Sequence, residues 1–163
     1  MNILKRFYLF TALILLSSIS FVAFPQGMKI VTGNPDFKIK VTRCEASGST
    51  VYMNLLLENK GDKEDRIIVY GGGINSSFAI DDEGNSYNES DFQVKIGKEL
   101  LSSVTTSGTL YPDVPVKLSI QIEGVPESAT LFRKIILEVQ FVSGDFHKKV
   151  EISNVPIYRE GDN

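Results

Sequence analysis

Few residues of this 163-residue chain could carry chemistry, and the densest group is the acidic run Asp81-Asp82-Glu83-Gly84-Asn85. Its carboxylates suggest a calcium site, because Ca²⁺ prefers several converging oxygen ligands. The spacing does not fit an EF-hand loop. The same residues are typical of a tight hairpin, since Asp and Asn tolerate turn conformations and Gly supplies positive φ. We therefore predict a turn here, with neither a metal site nor a cofactor.

A second set of reactive side chains consists of His147, the only histidine, and Cys44, the only cysteine. A zinc site needs more ligands than these two and scattered carboxylates. A Ser-His-Asp triad needs a nucleophile on a strained turn, and the sequence has no Gly-x-Ser-x-Gly segment. We expect His147 to be exposed beside a hairpin turn, and Cys44 to be buried as a small apolar side chain. A metal-dependent hydrolase that uses His147 and nearby acids stays as a hypothesis, but we predict no catalytic residues and no enzyme.

The candidate binding residues lie in two loops, residues 71–77 and residues 102–113. The first begins with Gly71-Gly72-Gly73, which lacks the Lys-Ser/Thr and the helix of a phosphate-binding loop. It predicts a bend, a bulge or a Gly-rich sheet edge, to which another chain could add a strand. The second begins with a hydroxyl-rich stretch that is expected to satisfy loop backbone groups. The predicted binding residues are Gly71, Gly72, Gly73, Asn75, Tyr111 and Asp113.

Short alternating apolar segments must position these loops. Alternation is clearest in residues 116–122, and in residues 51–57 an apolar Leu56 on the second face predicts a central strand. Turn signals separate such segments, and only residues 98–101 suggest a helical turn. The pattern predicts an all-β chain that forms an antiparallel immunoglobulin-like β-sandwich of about seven to nine strands, with a small barrel as the alternative.

The first residues predict export. Lys5 and Arg6 precede an apolar run at residues 7–24, which is typical of a signal peptide, although a run of this length could also remain as an N-terminal anchor. We predict a signal peptide or anchor at residues 1–27 and one domain at residues 28–163. Without the two leader cations the formal charge falls from −3 to −5, which gives no attraction to nucleic acid. Membrane contact is expected only if the leader is uncleaved.

Three segments resemble one family of secreted bacterial domains. Residues 51–62 are similar to its strand followed by Asn-x-Gly-Asp, and residues 78–87 resemble its Phe-x-Leu-x-Asp-x-x-Gly-x-x-Tyr hairpin. Residues 108–126 resemble its Leu-x-Pro-Gly, strand and Val-Pro ending, except that Asp113 replaces the usual Gly. The family comprises uncharacterised extracellular immunoglobulin-like domains related to the immunoprotective secreted antigens of mycobacteria. The resemblance implies an exported sandwich, often membrane-attached, without an agreed enzymatic activity.

These observations favour a non-catalytic exported binding or accessory domain of the bacterial cell envelope, located in the periplasm, the envelope or the extracellular space. Its partner is expected to be a protein or another cell-surface component. The alternative is a protease-inhibitor-like or chaperone-like subunit that acts by strand addition to a protein partner. A free, uncharged sheet edge beside residues 71–77 would favour that alternative, whereas Lys or Pro on the edge would count against it.

Overall fold

The computed structural model describes residues 27–72, 76–144 and 146–160. This part of the chain forms twelve strands: β1 (Lys29–Val31), β2 (Phe37–Ser47), β3 (Thr50–Asn59), β4 (Asp65–Tyr70), β5 (Phe78–Asp81), β6 (Ser86–Tyr87), β7 (Phe92–Ile96), β8 (Thr105–Leu110), β9 (Val116–Ile122), β10 (Leu131–Phe141), β11 (Phe146–Pro156) and β12 (Tyr158–Arg159). Two short 3-10 turns lie at Glu89–Asp91 and Val142–Gly144. Within the described ranges we find no helix with the length and apolar character of a membrane span. The predicted leader lies outside these ranges apart from Gly27.

The strands form two sheets that pack face to face. Sheet A has the order β1-β11-β10-β4-β8, and β10 also pairs with β5, which pairs with β6. Sheet B has the order β12-β2-β3-β9-β7. All paired strands are antiparallel except β12, which is parallel to β2. The predicted antiparallel immunoglobulin-like β-sandwich is confirmed. Nine of the twelve strands have four residues or more, and the other three are two- or three-residue strands that local patterning does not reveal.

The core lies between the inner faces of the two sheets. Alternate residues of β3 and β9 point inward, so that Met53, Leu55, Leu118 and Ile122 are fully buried, as the period-two pattern predicts. One end of the sandwich is closed by Phe37 of sheet B against Phe141 of sheet A, whose rings meet edge to face with centroids 5.0 Å apart. Each such large apolar side chain contributes about 1.5–3 kcal/mol of burial free energy.

The acidic run forms the turn that the sequence predicts. The Gly84 N–H donates to the Asp81 carbonyl at 3.3 Å, and Gly84 has a φ of +91°, which glycine adopts at little cost. The two Asp carboxylates bind different partners, because Asp81 accepts from the turn itself while Asp82 accepts from Thr130. The run is therefore a hairpin turn joining β5 to β6.

The structure confirms the prediction for Cys44 and corrects the one for residues 102–113. Cys44 is buried and free, as predicted, and burial raises its thiol pKa to about 12. The stretch assigned to a loop at residues 102–113, by contrast, contains a regular strand, β8, at residues 105–110. Its Thr residues favour extended backbone because they are branched at Cβ. Ser107 and Gly108 interrupt any alternation of apolar residues, so the sequence pattern did not indicate a strand here.

Candidate functional site

A groove of about 650 Å³ crosses the outer face of sheet B. Its floor consists of outward-pointing residues from β2, β3 and β9, which alternate with the core residues of the same strands. The pairing register sets these residues in two rows across the sheet. Glu45, Tyr52 and Gln121 form one row, and Arg43, Asn54 and Ser119 form the other.

The two ends of the groove come from segments that are distant in sequence. Lys95 of β7 and Leu101, just after the β7 turn, line one end, and Tyr158 of β12 lines the other. The Arg159 guanidinium fastens β12 by donating to the Pro126 carbonyl at 2.7 Å and to the Gly48 carbonyl at 3.0 Å. Tyr158 is thereby held next to Glu45 at the edge of sheet B.

Two exposed tyrosines give the groove its aromatic surface. Tyr158 pairs with Glu45, which pairs with Tyr52 on the next strand. The two tyrosine backbones are therefore two strand spacings apart, about 10 Å. The Tyr52 residue is 46% exposed and Tyr158 is 37% exposed. Both rings thus have surface available for a ligand.

The polar groups beside the tyrosines form hydrogen bonds and an ion pair. The Ser119 hydroxyl donates to Asn54 Oδ1 at 3.0 Å, and the Arg43 guanidinium pairs with the Glu45 carboxylate. The charged residues of the groove are three cations and two carboxylates, so neither sign dominates. Such a surface suits an uncharged ligand that is rich in donors and acceptors.

Gly71 and Gly72 lie at one end of sheet A and are tightly packed. Gly71 donates its backbone N–H to the Val104 carbonyl at 2.8 Å. A Cβ on Gly71 would lie 2.9 Å from the backbone of Ser103, and one on Gly72 would lie 2.6 Å from the same backbone. The glycines thus permit a close approach of two chain segments. They follow β4, which is an inner strand between β10 and β8, so Gly71 and Gly72 do not form the sheet edge that the sequence suggested.

Tyr111 and Asp113 lie at the opposite end of the same strands. Tyr70 pairs with Thr105 and Asp65 pairs with Leu110, so the chain enters β8 beside the glycines and leaves it at Tyr111. Asp113 has a φ of +57°, which is the left-handed conformation that glycine adopts most readily. Its carboxylate pairs with Lys60 Nζ at 2.9 Å.

The structure therefore separates the predicted binding residues instead of gathering them. Gly71 lies opposite Val104, which is seven residues from Tyr111, roughly 23 Å along the strand, while Gly73 and Asn75 lie outside the described residues. None of the four described residues lines the sheet B groove. The sequence analysis did not identify the groove residues. Tyr52, an aromatic side chain on the polar face of a central strand, could have indicated a binding surface there.

His147 is exposed on sheet A, as predicted. It pairs across strands with Gln140, and its ring lies 5.6 Å from that of Tyr70. Among residues 27–72, 76–144 and 146–160, no group of three or more His, Cys, Asp or Glu side chains is placed to hold a metal ion. His147 and Cys44 belong to different sheets, and Cys44 is buried while His147 is exposed.

No family model matches the chain, and no curated protein matches it. Among solved structures, the chain is similar to the ASH/PapD-like domain 7 of human CEP192, with 17% identity and a TM-score of 0.39 over 87% of this chain and 95% of that one. It is also similar to a family 123 glycoside hydrolase from Clostridium perfringens, with 10% identity and a TM-score of 0.38.

The second likeness covers 78% of this chain but only 27% of the hydrolase, so the chain spans about a quarter of that enzyme. At these TM-scores neither likeness carries an argument about function. The two sheets and their pairing establish the fold itself, and the chain is an all-β, immunoglobulin-like sandwich.

Proposed function

We propose that this chain is a non-catalytic binding or accessory domain exported to the cell envelope, and that its ligand lies in the sheet B groove. The apolar run at residues 7–24 supports export. The groove supports binding, because it combines two exposed aromatic rings with several polar side chains on a rigid sheet. The observation that carries the proposal is the placement of Tyr52 and Tyr158 on either side of Glu45.

The ligand class that this surface fits best is a neutral oligosaccharide of the cell surface. A sugar ring presents an apolar C–H face, which can lie on a tyrosine ring, and hydroxyls, which can bond to groups such as Asn54, Ser119 and Gln121. The open shape of the groove allows a chain of sugars to extend beyond either end. The near balance of positive and negative groups disfavours a strongly charged polymer.

The proposal is tested by titrating the protein with a panel of neutral hexasaccharides built from glucose, mannose, xylose or N-acetylglucosamine. We expect saturable binding of at least one hexasaccharide by calorimetry. Tyr52→Ala and Tyr158→Ala should each weaken it by about tenfold, or about 1.4 kcal/mol. The unfolding midpoints of both variants should stay close to that of the wild type, because both side chains are partly exposed.

Tyr111→Ala is the matched control, because Tyr111 is 51% exposed and lies outside the groove. Its affinity for the hexasaccharide should equal that of the wild type. If Tyr111→Ala alone weakened binding, the site would belong to the 102–113 loop that the sequence suggested. Absence of binding to the whole panel would exclude a neutral glycan as the ligand.

A second mode of interaction, strand addition to a protein partner, is favoured by one feature of sheet A. The sheet ends at β8, whose six residues include neither a charge nor a proline. β8 starts beside Gly71, so an uncharged edge does lie next to the first predicted loop. A protease-inhibitor-like or chaperone-like subunit would use this edge rather than the groove.

A further inference from the structure

β8 differs from every other edge strand in the described part of the chain. β1, β6 and β12 have only two or three residues each. The parts of β2 and β11 that β12 and β1 leave unpaired carry lysines, including Lys38, Lys40 and Lys149. The edge of β7 is covered by the chain itself, because Val94 and Ser102 exchange two backbone hydrogen bonds of 2.9 Å. β8 has six residues, Thr-Thr-Ser-Gly-Thr-Leu, and lacks the Lys, Pro or bulge that normally protects an edge.

The register shows which backbone groups of β8 face outward. The Gly71 N–H donates to the Val104 carbonyl, so Thr106, Gly108 and Leu110, which have the same parity as Val104, direct their backbone groups toward β4. Thr105, Ser107 and Thr109 consequently direct theirs away from the sheet. Ser102 Oγ accepts the Thr105 N–H at 3.2 Å. The N–H groups of Ser107 and Thr109 and the carbonyls of all three residues face outward.

Exposed apolar side chains flank both ends of this edge. Leu100, Leu101 and Val104 lie just before β8, and Tyr111 and Val114 lie just after it. These are five of the nine exposed large hydrophobic residues of the described chain. Leu100 is 87% exposed and Val104 is 63% exposed. Such a concentration around one strand indicates an interaction surface.

We infer that β8 pairs antiparallel with β8 of a second copy of this chain, with Ser107 on the two-fold axis. Sheet A of one copy and sheet A of the other would then form one continuous sheet across the interface. The groove lies on the outer face of the other sheet, and Leu101 is the one described residue that lines both the groove and the apolar surface beside β8. The inference goes beyond strand addition in general because it names the partner and the register.

Self-complementarity is the reason for choosing a second copy. In this register Ser107 opposes Ser107 of the second copy, and Thr105 opposes Thr109 of the second copy. The outward groups form four hydrogen bonds between the copies, two between the serines and one from each Thr109 N–H to the facing Thr105 carbonyl. Paired Ser and Thr hydroxyls stabilise neighbouring strands, and no like charges meet along the edge.

The apolar ends also match in this arrangement. Because the two strands run in opposite directions, Leu100, Leu101 and Val104 of one copy come alongside Tyr111 and Val114 of the other. A cleft of about 420 Å³ lies between the first half of β8 and residues 99–102, and it extends onto the outer face of sheet A at Arg66 and Ile68 of β4. The two copies of that segment would lie at opposite ends of the interface, so they do not compete for the same space.

Disulfide trapping in the full chain tests the register directly. Residues that face each other as a hydrogen-bonded antiparallel pair have Cα atoms about 5.5 Å apart, within the range that a disulfide spans. We expect Ser107→Cys to form a covalent dimer under mild oxidation. Thr109→Cys is the matched control, because its two copies would lie about 14 Å apart along the strands and should stay monomeric on a non-reducing gel.

Sedimentation of the unmodified chain and of charge variants tests the association without a cross-link. The wild type should sediment at twice the mass of one chain, and Ser107→Lys should sediment as a monomer, since two lysines would meet on the axis. Ser128→Lys adds the same charge at an exposed turn remote from β8 and should remain dimeric. All variants carry the same N-terminal segment, so association through that segment would not distinguish them.

Three outcomes would overturn the inference. The first is a wild-type chain that stays monomeric at about 100 μM, well above the micromolar range of ordinary specific dimers. The second is a dimer that persists in Ser107→Lys, and the third is equal cross-linking at positions 107 and 109. If Ser107→Lys fails to fold, reduced Ser107→Cys and its oxidised form replace it in the comparison. A monomer whose edge captures a strand of another protein would support the strand-addition subunit and reject the second copy.

Discussion

The Tyr87 hydroxyl donates a 2.6 Å hydrogen bond to Asp81 Oδ2 inside the β5–β6 hairpin. The same carboxylate accepts from the backbone N–H groups of Glu83 and Asn85 and from Asn85 Nδ2, at 2.8–3.0 Å. Asp81 is fully buried, and a buried carboxylate is tolerated only when its lone pairs are satisfied. These four hydrogen bonds to Asp81 hold the turn together.

Removing one donor should cost measurable stability. We expect Tyr87→Phe to lower the free energy of unfolding by about 1–3 kcal/mol, because it leaves a buried acceptor with one partner fewer. Asp81→Ala should cost more, since several donors then lose their acceptor. Asp82→Ala is the control, because the neighbouring carboxylate is only half-buried and binds Thr130 instead. Urea denaturation measures all three, and equal losses for Asp81→Ala and Asp82→Ala would contradict the assignment.

The stability of the hairpin should depend on pH in the acidic range. Burial alone raises the pKa of Asp81, but the hydrogen bonds from Tyr87, Asn85 and Glu83 lower it more, and the net pKa lies below the ordinary 3.8. A lowered pKa in the folded state contributes stability that is present above pH 3.8 and is lost as the pH falls through the folded value.

The variant that tests this pH dependence is Asp81→Asn, which cannot titrate. Its deficit in unfolding free energy relative to the wild type should be largest near pH 7 and should shrink as the pH drops below 3.8. Denaturation curves at a series of pH values measure it. A deficit that stays constant down to pH 2 would show that ionisation of Asp81 does not stabilise the fold.

Gly108 of β8 and Ile96 of β7 should be energetically coupled. A Cβ on Gly108 would lie 2.6 Å from Ile96 Cγ2, so the small residue on one sheet accommodates the large residue on the other. Gly108→Ala should cost about 1–3 kcal/mol through overpacking, and Ile96→Ala about 2–5 kcal/mol through lost burial and a cavity. The double variant should lose less than the sum of the two, by about 0.5–3 kcal/mol. Additive losses in a double-mutant cycle would refute direct contact.

The Cys44 thiol should be unreactive in the folded protein. Burial, with a smaller effect from the nearby Glu45 carboxylate, raises its pKa to about 12, and only the thiolate reacts readily. At pH 8 we expect labelling by a disulfide reagent to be slower than in denaturant by on the order of a thousandfold. A thiol introduced by Ser128→Cys at an exposed position serves as the fast-reacting control. Rapid labelling of Cys44 would mean that the sheet B interior opens frequently.

Local patterning was enough to predict the parts of the fold whose causes lie within a few residues. The alternation in β3 and β9 identified buried faces because a strand places successive side chains on opposite sides. The acidic hairpin followed from the turn preferences of Asp, Asn and Gly, and the burial of Cys44 followed from its lack of a disulfide partner. The central position of β3 was confirmed, because Leu56 on its outer face marked a strand flanked on both sides.

Strand order and everything that depends on it required the tertiary structure. β8 lies at the edge of sheet A, whereas β4 lies inside it. Neither the residues of β4, such as Ile67, nor the hydroxyl-rich stretch of β8 indicates this locally, because pairing across the whole chain sets the neighbours of a strand. The groove likewise joins Tyr52 to Tyr158 over more than one hundred residues of sequence. Ile136 shows the same limit, since it is buried yet stands on the outer face of sheet A, opposite Phe78. The sequence by itself determined an all-β chain with particular turns and core residues, and only the packing of two sheets decided which polar faces became a groove and which strand was left at an edge.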